Sequence, residues 1–370
     1  MARSSKSFSV AIAQAGDFGM SRTKPISQLA DGLLSTQPTD PQVVELNPDD
    51  LKDPRFRYKP NLPPENQAWV SYGKGTFVVG NLARVKHGQL HIHQLKQTRI
   101  VPKALTAIWS AYQQHGLNNK AGLAFVGQLP AGEMPAREAL TQELSEALKG
   151  FETPTGTFKI KARIRFVPEG SGIAAYKEAT DPDFSDKVCA FFMLGFRNAS
   201  VLVMERGVES IVRSSKWGFA HLVQEVSDSD KVVEQSIETL TPVLAEAFDP
   251  KQLLGREGII DRQPFYRITH HHSGSNQTEE VDRLVVATEQ ACDRYLRELM
   301  GWMQDVLNEL TVRCDEVILS GGTAETLKRV INRRWLSTFP EHSFHGGVKL
   351  PEDFDDKGLG VRLFDPYAAL

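Results

Sequence analysis

The sequence predicts an α/β protein built from two similar halves. The main observation is a recurring unit: an apolar run that reads as a buried strand, then a glycine turn, then further strands and helices. A strand that ends in glycines before a helix brings backbone N–H groups close to a ligand, so the pattern also indicates a nucleotide site. The unit occurs at three places: Phe8–Ala15 with Gly16–Gly19, Val188–Leu194 with Gly195, and Val317–Leu319 with Gly321 and Gly322.

The first half contains mixed strands and helices. Seven prolines between residues 36 and 66 indicate irregular or edge structure. Trp69–Asn81 alternates as a hairpin does, around Gly73–Gly75. Four elements are predicted to follow: a helix over Val101–His115, a strand over Ala121–Val126, a helix over Arg137–Lys149 and a strand over Phe158–Val167.

The second half begins near Pro182, before the continuous apolar strand Val188–Leu194. A strand over Val201–Met204 and a hairpin turn at Glu205–Gly207 are expected next, then a helix over Ser227–Phe248 and a long helix over about Thr278–Leu310. We predict a first domain over residues 1–178 plus 345–370, with a small insertion at about 30–100, and a second domain over 179–344. Two such halves around a cleft could hold a nucleotide.

Composition limits the possible functions. With 370 residues, 41% hydrophobic and 24% charged, the chain has the profile of an ordinary globular protein. A formal charge of −3 gives no general attraction to nucleic acid, so no direct nucleic-acid binding is expected. The three cysteines have no metal-ligand spacing, and the run His270–His272 is interpreted as an exposed loop. We predict no transmembrane segment and no signal peptide, hence a cytoplasmic protein.

The order of short motifs resembles the actin-like ATPase superfamily, specifically the bacterial plasmid-segregation actins of the ParM/StbA type. The first phosphate loop of that family, Asp-x-Gly-x-x-x-x-Lys, is matched by Asp17, Gly19 and Lys24. The remaining similarities follow in the family's order: Val79–Ala83, Gly127–Pro130, Pro168–Glu169, Gly321–Gly322 and the closing turn Asp356–Gly360. The resemblance implies an actin-like two-domain fold with duplicated α/β halves around a nucleotide cleft.

One motif departs from the family. Its second phosphate loop, Asp-x-Gly-x-Thr-Thr, corresponds here to Met193–Asn198, so that Met193 replaces the aspartate and Arg197 and Asn198 replace the two threonines. One of the two carboxylates expected near Mg²⁺ is therefore absent from the motif. ATPase activity stays an open question at the level of sequence.

The resemblance implies a set of site residues. Asp17 would hold Mg²⁺ and take part in catalysis, although an aspartate beside glycine also forms simple Asx turns. Glu169 would orient or deprotonate the attacking water. The predicted nucleotide-binding residues are Gly19, Ser21, Lys24, Gly195, Arg197, Asn198, Gly218, Gly321, Gly322 and Thr323.

The family's function implies ATP or GTP with Mg²⁺, self-association into filaments, and a separate DNA-binding or membrane-associated adaptor. Plasmid or DNA segregation is the first hypothesis. Three alternatives remain: a cell-shape or cortical filament with slow or altered hydrolysis, which suits Met193; a small-molecule kinase of the same superfamily; and a binding protein with a degenerate nucleotide site.

Overall fold

The computed structural model describes residues 9–86, 88, 94–230, 232, 235–249, 259–335, 341–352, 354–355 and 358–370. These residues form two compact units. Unit 1 comprises Met1–Ala175 with Val348–Leu370, and unit 2 comprises Tyr176–Gly347. The assignment of two actin-like domains with the boundaries predicted above stays a prediction.

Unit 1 contains two five-stranded sheets. Its strands are β1 Val10–Phe18, β2 Thr23–Leu29, β3 Leu34–Thr36, β4 Val43–Leu46, β5 Trp69–Tyr72, β6 Gly75–Val79, β7 Gly122–Leu129, β8 Phe151–Thr153, β9 Gly156–Phe158 and β10 Ala162–Pro168. Its helices are α1 Asn81–Val85, α2 Ile100–Gln114, α3 Arg137–Leu148 and α4 Ser171–Thr180, which continues past residue 175, together with α10 Phe364–Ala368 near the C-terminus.

The first sheet of unit 1 has the order β10-β7-β1-β2-β3, and the second has the order β4-β6-β5-β8-β9. In the first sheet, β1 is antiparallel to β2 and parallel to β7, which in turn is parallel to β10. The carboxyl ends of three parallel strands therefore meet at one edge, where α/β proteins usually bind ligands.

Unit 2 contains one five-stranded sheet with the order β13-β12-β11-β14-β15. Its strands are β11 Val188–Leu194, β12 Ala199–Glu205, β13 Val208–Ser215, β14 Glu316–Ser320 and β15 His342–Phe344. Its helices are α5 Phe219–Ser227, α6 Ile237–Ala247, α7 Gly274–Asn308, α8 Gly322–Thr326 and α9 Lys328–Trp335.

The same local topology occurs in both units. In unit 2, β11 is antiparallel to β12 and parallel to β14, as β1 is to β2 and β7 in unit 1. Each sheet packs its apolar residues against helices, with Trp109 and Tyr112 of α2 buried in unit 1 and Tyr295 of α7 buried in unit 2. The predicted α/β class is confirmed.

Three predicted element boundaries are wrong. Gly16–Gly19 is not a turn: β1 continues to Phe18, because Gly16, Asp17 and Phe18 pair with β2 on one side, and Gly16 and Asp17 also pair with β7 on the other. The turn lies at Gly19–Arg22 instead. Pairing on both edges outweighs the local turn preference of the glycines.

Phe158–Val167 is not one strand, because β9 pairs with β8 in the second sheet whereas β10 pairs with β7 in the first. Between them, the Ile160 N–H donates to the Leu148 carbonyl at 2.9 Å. Ser227–Phe248 is likewise not one helix. In the structure α5 ends at Ser227 and α6 begins only at Ile237, and the Ser236 hydroxyl caps α6 by accepting from the Thr239 N–H at 3.2 Å.

The segment after residue 348 belongs to unit 1. Phe354, Leu359 and Leu363 form a small buried cluster with Ile26 of β2, as expected for a C-terminal segment that returns to the first half. Asp356 and Lys357 of the predicted closing turn lie outside the described residues.

Candidate functional site

The site in unit 1 begins with a cross-strand pair. Asp17 near the end of β1 lies opposite Lys24 on antiparallel β2. The Lys24 ammonium forms an ion pair with Asp17 Oδ2. The spacing in the Asp-x-Gly-x-x-x-x-Lys motif thus has a simple structural cause, since a four-residue turn from Gly19 to Arg22 places the two ends of the motif side by side.

A second lysine, which the sequence analysis did not identify, completes the group. Lys96 Nζ lies 2.5 Å from Asp17 Oδ1 and 3.0 Å from Glu169 Oε1, and the Lys96 side chain is only 3% exposed. Asp17, Lys24, Lys96 and Glu169 are called the ion-pair cluster below. The structure therefore brings together three predicted site residues, Asp17, Lys24 and Glu169.

The backbone at Lys96 is fixed by a buried carboxylate. The Lys96 N–H donates to Glu133 Oε1 at 3.1 Å, and the Gln97 N–H donates to Glu133 Oε2 at 2.6 Å. Both bonds satisfy the N-terminus of the 3₁₀ helix Lys96–Thr98. Glu133 thus holds the backbone at Lys96 in position.

The charges of the ion-pair cluster balance. Burial alone would raise the pKa of Asp17, but Lys24 and Lys96 together hold it well below its usual range. Burial would lower the pKa of Lys96, but the carboxylates of Asp17 and Glu169 hold it above its usual range. Asp17 and Lys96 are therefore both charged at neutral pH, as their close contact requires.

Glu169 follows the last residue of β10 and precedes the helix α4. Its N–H donates to the Leu129 carbonyl at 2.8 Å. The N-terminus of α4 is capped by Asp365 of α10. The Asp365 carboxylate accepts from the N–H groups of Gly170 at 2.7 Å, Gly172 at 2.9 Å and Ile173 at 3.2 Å. The C-terminal helix thereby fixes the backbone next to Glu169.

A buried lysine lies behind the turn that carries Gly19 and Ser21. Lys103 of α2 donates to the carbonyls of Phe18 at 3.4 Å and Gly19 at 3.0 Å. Burial, with the nearby charge of Lys96, lowers the pKa of Lys103 to about 7. Ser21 at the tip of the turn is exposed, so its hydroxyl is accessible to a ligand.

In unit 2, Gly195 and Asn198 form the tight turn between β11 and β12. The Gly195 N–H donates to the Asn198 carbonyl at 3.0 Å, and Asn198 Nδ2 lies 3.4 Å from Ser200 Oγ. Met193, at the position of the family's aspartate, is paired with Ser200 on β12 and with Ser320 on β14. Its strand neighbours therefore supply hydroxyl groups and no carboxylate.

Gly218 fits tightly against this turn. A Cβ on Gly218 would lie 2.2 Å from the Arg197 carbonyl carbon and 2.4 Å from the Asn198 nitrogen. The carbonyls of Gly195 and Phe196 accept from the N–H groups of Phe219 at 3.1 Å and Ala220 at 2.7 Å. The first turn of α5 is thus capped by the Gly195–Asn198 turn, so these two N–H groups are already bonded.

The Gly321–Gly322 turn packs against the same turn between β11 and β12. Gly321 has a φ of 95°, and a Cβ there would lie 2.4 Å from the Leu194 carbonyl oxygen. The Thr323 hydroxyl donates to the Gly195 carbonyl at 2.7 Å. The structure therefore brings Gly195, Gly218, Gly321 and Thr323 into one group of packed turns.

His345 contacts the residues on both sides of the Gly321–Gly322 turn. Ser320 Oγ lies 3.0 Å from His345 Nδ1, and His345 Nε2 lies 3.1 Å from Glu325 Oε2. Burial lowers the pKa of His345, so the neutral imidazole links the end of β14 to α8. His345 has a φ of 63°, which is unusual for a residue other than glycine.

The ion-pair cluster has the chemical character that phosphate and Mg²⁺ require. Lysine ammonium groups bind phosphate as point charges, and Mg²⁺ is commonly held by one or two carboxylates with several waters. Asp17 fits as an ionised carboxylate, although each of its oxygens is paired with a lysine. Direct metal ligation would displace one lysine, whereas a contact through water would not.

The sequence analysis missed five residues that the structure places at the site: Lys96, Lys103, Glu133, His345 and Asp365. Lys103 carried a usable signal, because it lies on the apolar face of a helix between Ile100 and Ala107. Lys96 and Asp365 carried none, since a single lysine before a helix and an aspartate before proline are common. Only the folded chain brings them to Asp17 and to α4.

The comparisons with known proteins identify the class of fold. No protein-family model matches the chain, and no curated protein matches it. Among solved structures, the chain is similar to the actin-like protein Alp7A, with a TM-score of 0.62 and 14% identity over 96% of this chain and 94% of that one.

Two further structures agree. A 15-stranded ParM filament from Clostridium botulinum has a TM-score of 0.59 and 12% identity, and 98% of each chain is covered. Ta0583, an archaeal actin homologue, has a TM-score of 0.57 and 14% identity over 96% of this chain and 97% of that one. This chain therefore has the actin-like fold, of the type found in ParM, over nearly its whole length.

Within the described ranges, no helix combines the length and the apolar character that crossing a bilayer requires.

Proposed function

We propose that this protein is an actin-like, nucleotide-dependent filament-forming protein. The observation that carries the proposal is the agreement in fold, over 98% of both chains, with a protein solved as a ParM filament. Asymmetric contacts that do not close into a ring give helical filaments.

We further propose ATP or GTP with Mg²⁺ as the ligand. Ta0583 has been solved in complex with ADP, and this chain has its fold, with a TM-score of 0.52 to that complex. Lys24 would bind phosphate and Asp17 would hold Mg²⁺ through water, while Lys96 keeps Asp17 and Glu169 in place. Bound Mg²⁺ would neutralise phosphate charge, and Glu169 would orient the attacking water.

We propose that the packed turns of unit 2 also bind the nucleotide. The residues involved would be Gly195, Gly218, Gly321 and Gly322, with Arg197, Asn198 and Thr323 beside them. Glycine allows the close approach of backbone to ligand. Gly19 and Ser21 would have the same role in unit 1. These roles, like the metal role of Asp17, are part of the proposal.

Segregation of plasmid or other DNA through a separate adaptor, in the cytoplasm, is the task we propose first. A stable cell-shape or cortical filament is the second candidate, and one observation favours it. Met193 lies where a second carboxylate would assist Mg²⁺, and its register partners Ser200 and Ser320 do not replace that charge. Slow hydrolysis suits a static filament better than a dynamic one.

Sedimentation of the purified chain tests the proposal directly. The protein is pelleted with ATP and Mg²⁺, with GTP and Mg²⁺, and without nucleotide. We expect polymer with a nucleoside triphosphate and little without it. Polymer under all three conditions would support a static filament and contradict nucleotide dependence. Failure to form polymer under any of them would contradict self-assembly.

A matched variant links assembly to the ion-pair cluster. Lys24→Ala removes the proposed phosphate contact, whereas Lys74→Ala removes an exposed lysine of the same unit. We expect Lys24→Ala to require about 10-fold or more nucleotide for assembly, corresponding to a lost charged contact of roughly 1.5–3 kcal/mol. Equal behaviour of the two variants would remove Lys24 from the site.

A further inference from the structure

Unit 2 carries a group of donor atoms on the outer surface of α5 and α7 that the proposed function does not use. His221 and Glu225 lie one turn apart on α5, and Glu298 lies on α7. His221 Nε2 is 3.3 Å from Glu225 Oε1 and 3.8 Å from Glu298 Oε2. The three ligand atoms all lie within 4.8 Å of one another.

These distances are close to those of a tetrahedral metal site. Zinc bonds to imidazole nitrogen and carboxylate oxygen are about 2.0–2.2 Å long. Tetrahedral geometry then separates neighbouring ligand atoms by roughly 3.3–3.5 Å. The two carboxylate oxygens lie 3.3 and 3.8 Å from His221 Nε2 and within 4.8 Å of each other, so side-chain rotations would bring all three donor atoms to that spacing.

Two of the three donors, His221 and Glu225, are held by further contacts, as metal ligands usually are. The second oxygen of Glu225 accepts from Arg294 Nε at 3.2 Å, which leaves Oε1 facing His221. The Trp217 ring packs edge-on against the His221 ring, with the two ring centroids 4.7 Å apart. The Trp217 carbonyl accepts from the Tyr295 hydroxyl at 3.0 Å, which ties this region to α7.

The scaffold beneath the donors is rigid. Leu222 and Val226 of α5, and Leu296 and Leu299 of α7, are buried in the core of unit 2. Sites built on packed helices keep their geometry better than sites on loops. Both helices therefore present the three donors with little freedom to move apart.

We propose that His221, Glu225 and Glu298 bind a Zn²⁺ ion that joins α5 to α7. One imidazole and two carboxylates suit zinc, whereas magnesium prefers oxygen ligands alone. His221 is 26% exposed and Glu298 is 49% exposed, so the fourth position faces solvent. With Arg294 beside them, the two carboxylates leave a net negative charge that attracts a divalent cation.

Another histidine–glutamate contact in this unit, between His270 and Glu280, serves as a control. His270 Nδ1 lies 2.9 Å from Glu280 Oε1, but the Glu280 carboxylate also accepts from the backbone N–H groups of His270 and His271. Among the described residues, no third His, Cys or acidic donor joins this pair at metal-ligand distance.

The test is calorimetric titration of the full chain with Zn²⁺ in the absence of nucleotide, repeated with Co²⁺ to record its visible absorption. The variants are His221→Ala and Glu298→Gln, with His270→Ala as the control. We expect His221→Ala and Glu298→Gln each to weaken binding about 10-fold or more. We also expect both to lose the tetrahedral Co²⁺ spectrum, which His270→Ala retains.

Equal Zn²⁺ affinity in the wild type and Glu298→Gln would overturn the proposal. Glu298 is half exposed, so its replacement leaves the core intact. Glu298→Gln therefore tests zinc binding even if His221→Ala folds poorly. Hydrogen exchange gives a second readout, since bound zinc should slow exchange in α5 and α7 of the wild type and not of Glu298→Gln. Neither measurement depends on nucleotide or on filaments, so the result is independent of the proposed function.

Discussion

At the scale of single residues, Asp17 has a different lysine on each carboxylate oxygen. Lys96 is 3% exposed and also binds Glu169, whereas Lys24 is 12% exposed and its ion pair is with Asp17. An incoming phosphate can therefore draw Lys24 away from Asp17 more readily than Lys96. We infer that Lys24 is the mobile charge of the cluster and Lys96 the fixed one.

The fixed role of Lys96 can be measured as stability. Lys96→Met leaves two carboxylates close together in a buried place without their shared cation. We expect the free energy of unfolding at pH 7 to fall by about 3 kcal/mol, the usual cost of removing one partner of a buried pair. Urea denaturation measures this change.

The matched control is Lys149→Met. Lys149 is 70% exposed and pairs with Glu146 on the surface, so its loss should change stability by no more than about 0.5 kcal/mol. A similar small change for Lys96→Met would show that the ion-pair cluster does not contribute to folding stability.

At the scale of elements, the C-terminal helix α10 acts as a cap for α4. The Asp365 carboxylate accepts three N–H groups at the start of α4, and a Cβ on Gly172 would lie only 2.0 Å from the Asp365 carbonyl oxygen. This close packing explains why Gly172 is glycine. Burial raises the pKa of Asp365 to about 6 despite these hydrogen bonds.

The raised pKa predicts how stability depends on pH. In the unfolded chain Asp365 releases its proton near pH 4, whereas in the native protein it keeps the proton up to about pH 6. The native state therefore binds more protons between these values, and the free energy of unfolding contributed by Asp365 falls as pH rises through this window. The fall amounts to roughly 3 kcal/mol, at 1.36 kcal/mol for each pKa unit.

Asp365→Asn should remove that fall, because asparagine does not titrate. Urea denaturation of the wild type and of Asp365→Asn gives the free energy of unfolding at each pH from 4 to 7. The slopes of the two curves are compared, because the other groups titrate equally in both proteins. Asp49→Asn, at a residue 86% exposed, should keep the wild-type slope. A wild-type slope in Asp365→Asn would show that its carboxyl has an ordinary pKa.

At the scale of the whole molecule, the two units repeat one strand topology and together give the actin-like fold over nearly the whole chain. The segregation role proposed first requires nucleotide turnover to be coupled to assembly. Glu169, beside the capped start of α4, is the residue that we expect to control turnover without controlling assembly.

Glu169→Gln should assemble with nucleotide as the wild type does, and its filaments should persist longer. Loss of a positioned general base typically slows reaction about 10²–10⁴-fold, so phosphate release during assembly is the measurement. Glu178→Gln, an exposed residue on α4, is the control and should release phosphate at the wild-type rate. Unchanged release in Glu169→Gln would remove Glu169 from the mechanism.

The sequence by itself determined the α/β class and most elements with strong periodicity. The hairpin around Gly73–Gly75, the long helix and the continuous strand Val188–Leu194 were all predicted, because each is specified by local pattern and turn chemistry. The motif of Asp17, Gly19 and Lys24 was also recognised from its spacing, but the ion pair between Asp17 and Lys24 was found only in the structure.

Only the tertiary structure decided the rest. Strand pairing on both edges extended β1 through Gly16 and Asp17, where local preference predicted a turn. Lys96, Glu133 and Asp365 reach the site from distant segments, and the zinc donors come from two helices separated by more than one element. Such groups are specified by long-range packing and charge balance, which leave no periodic or local signal in the sequence.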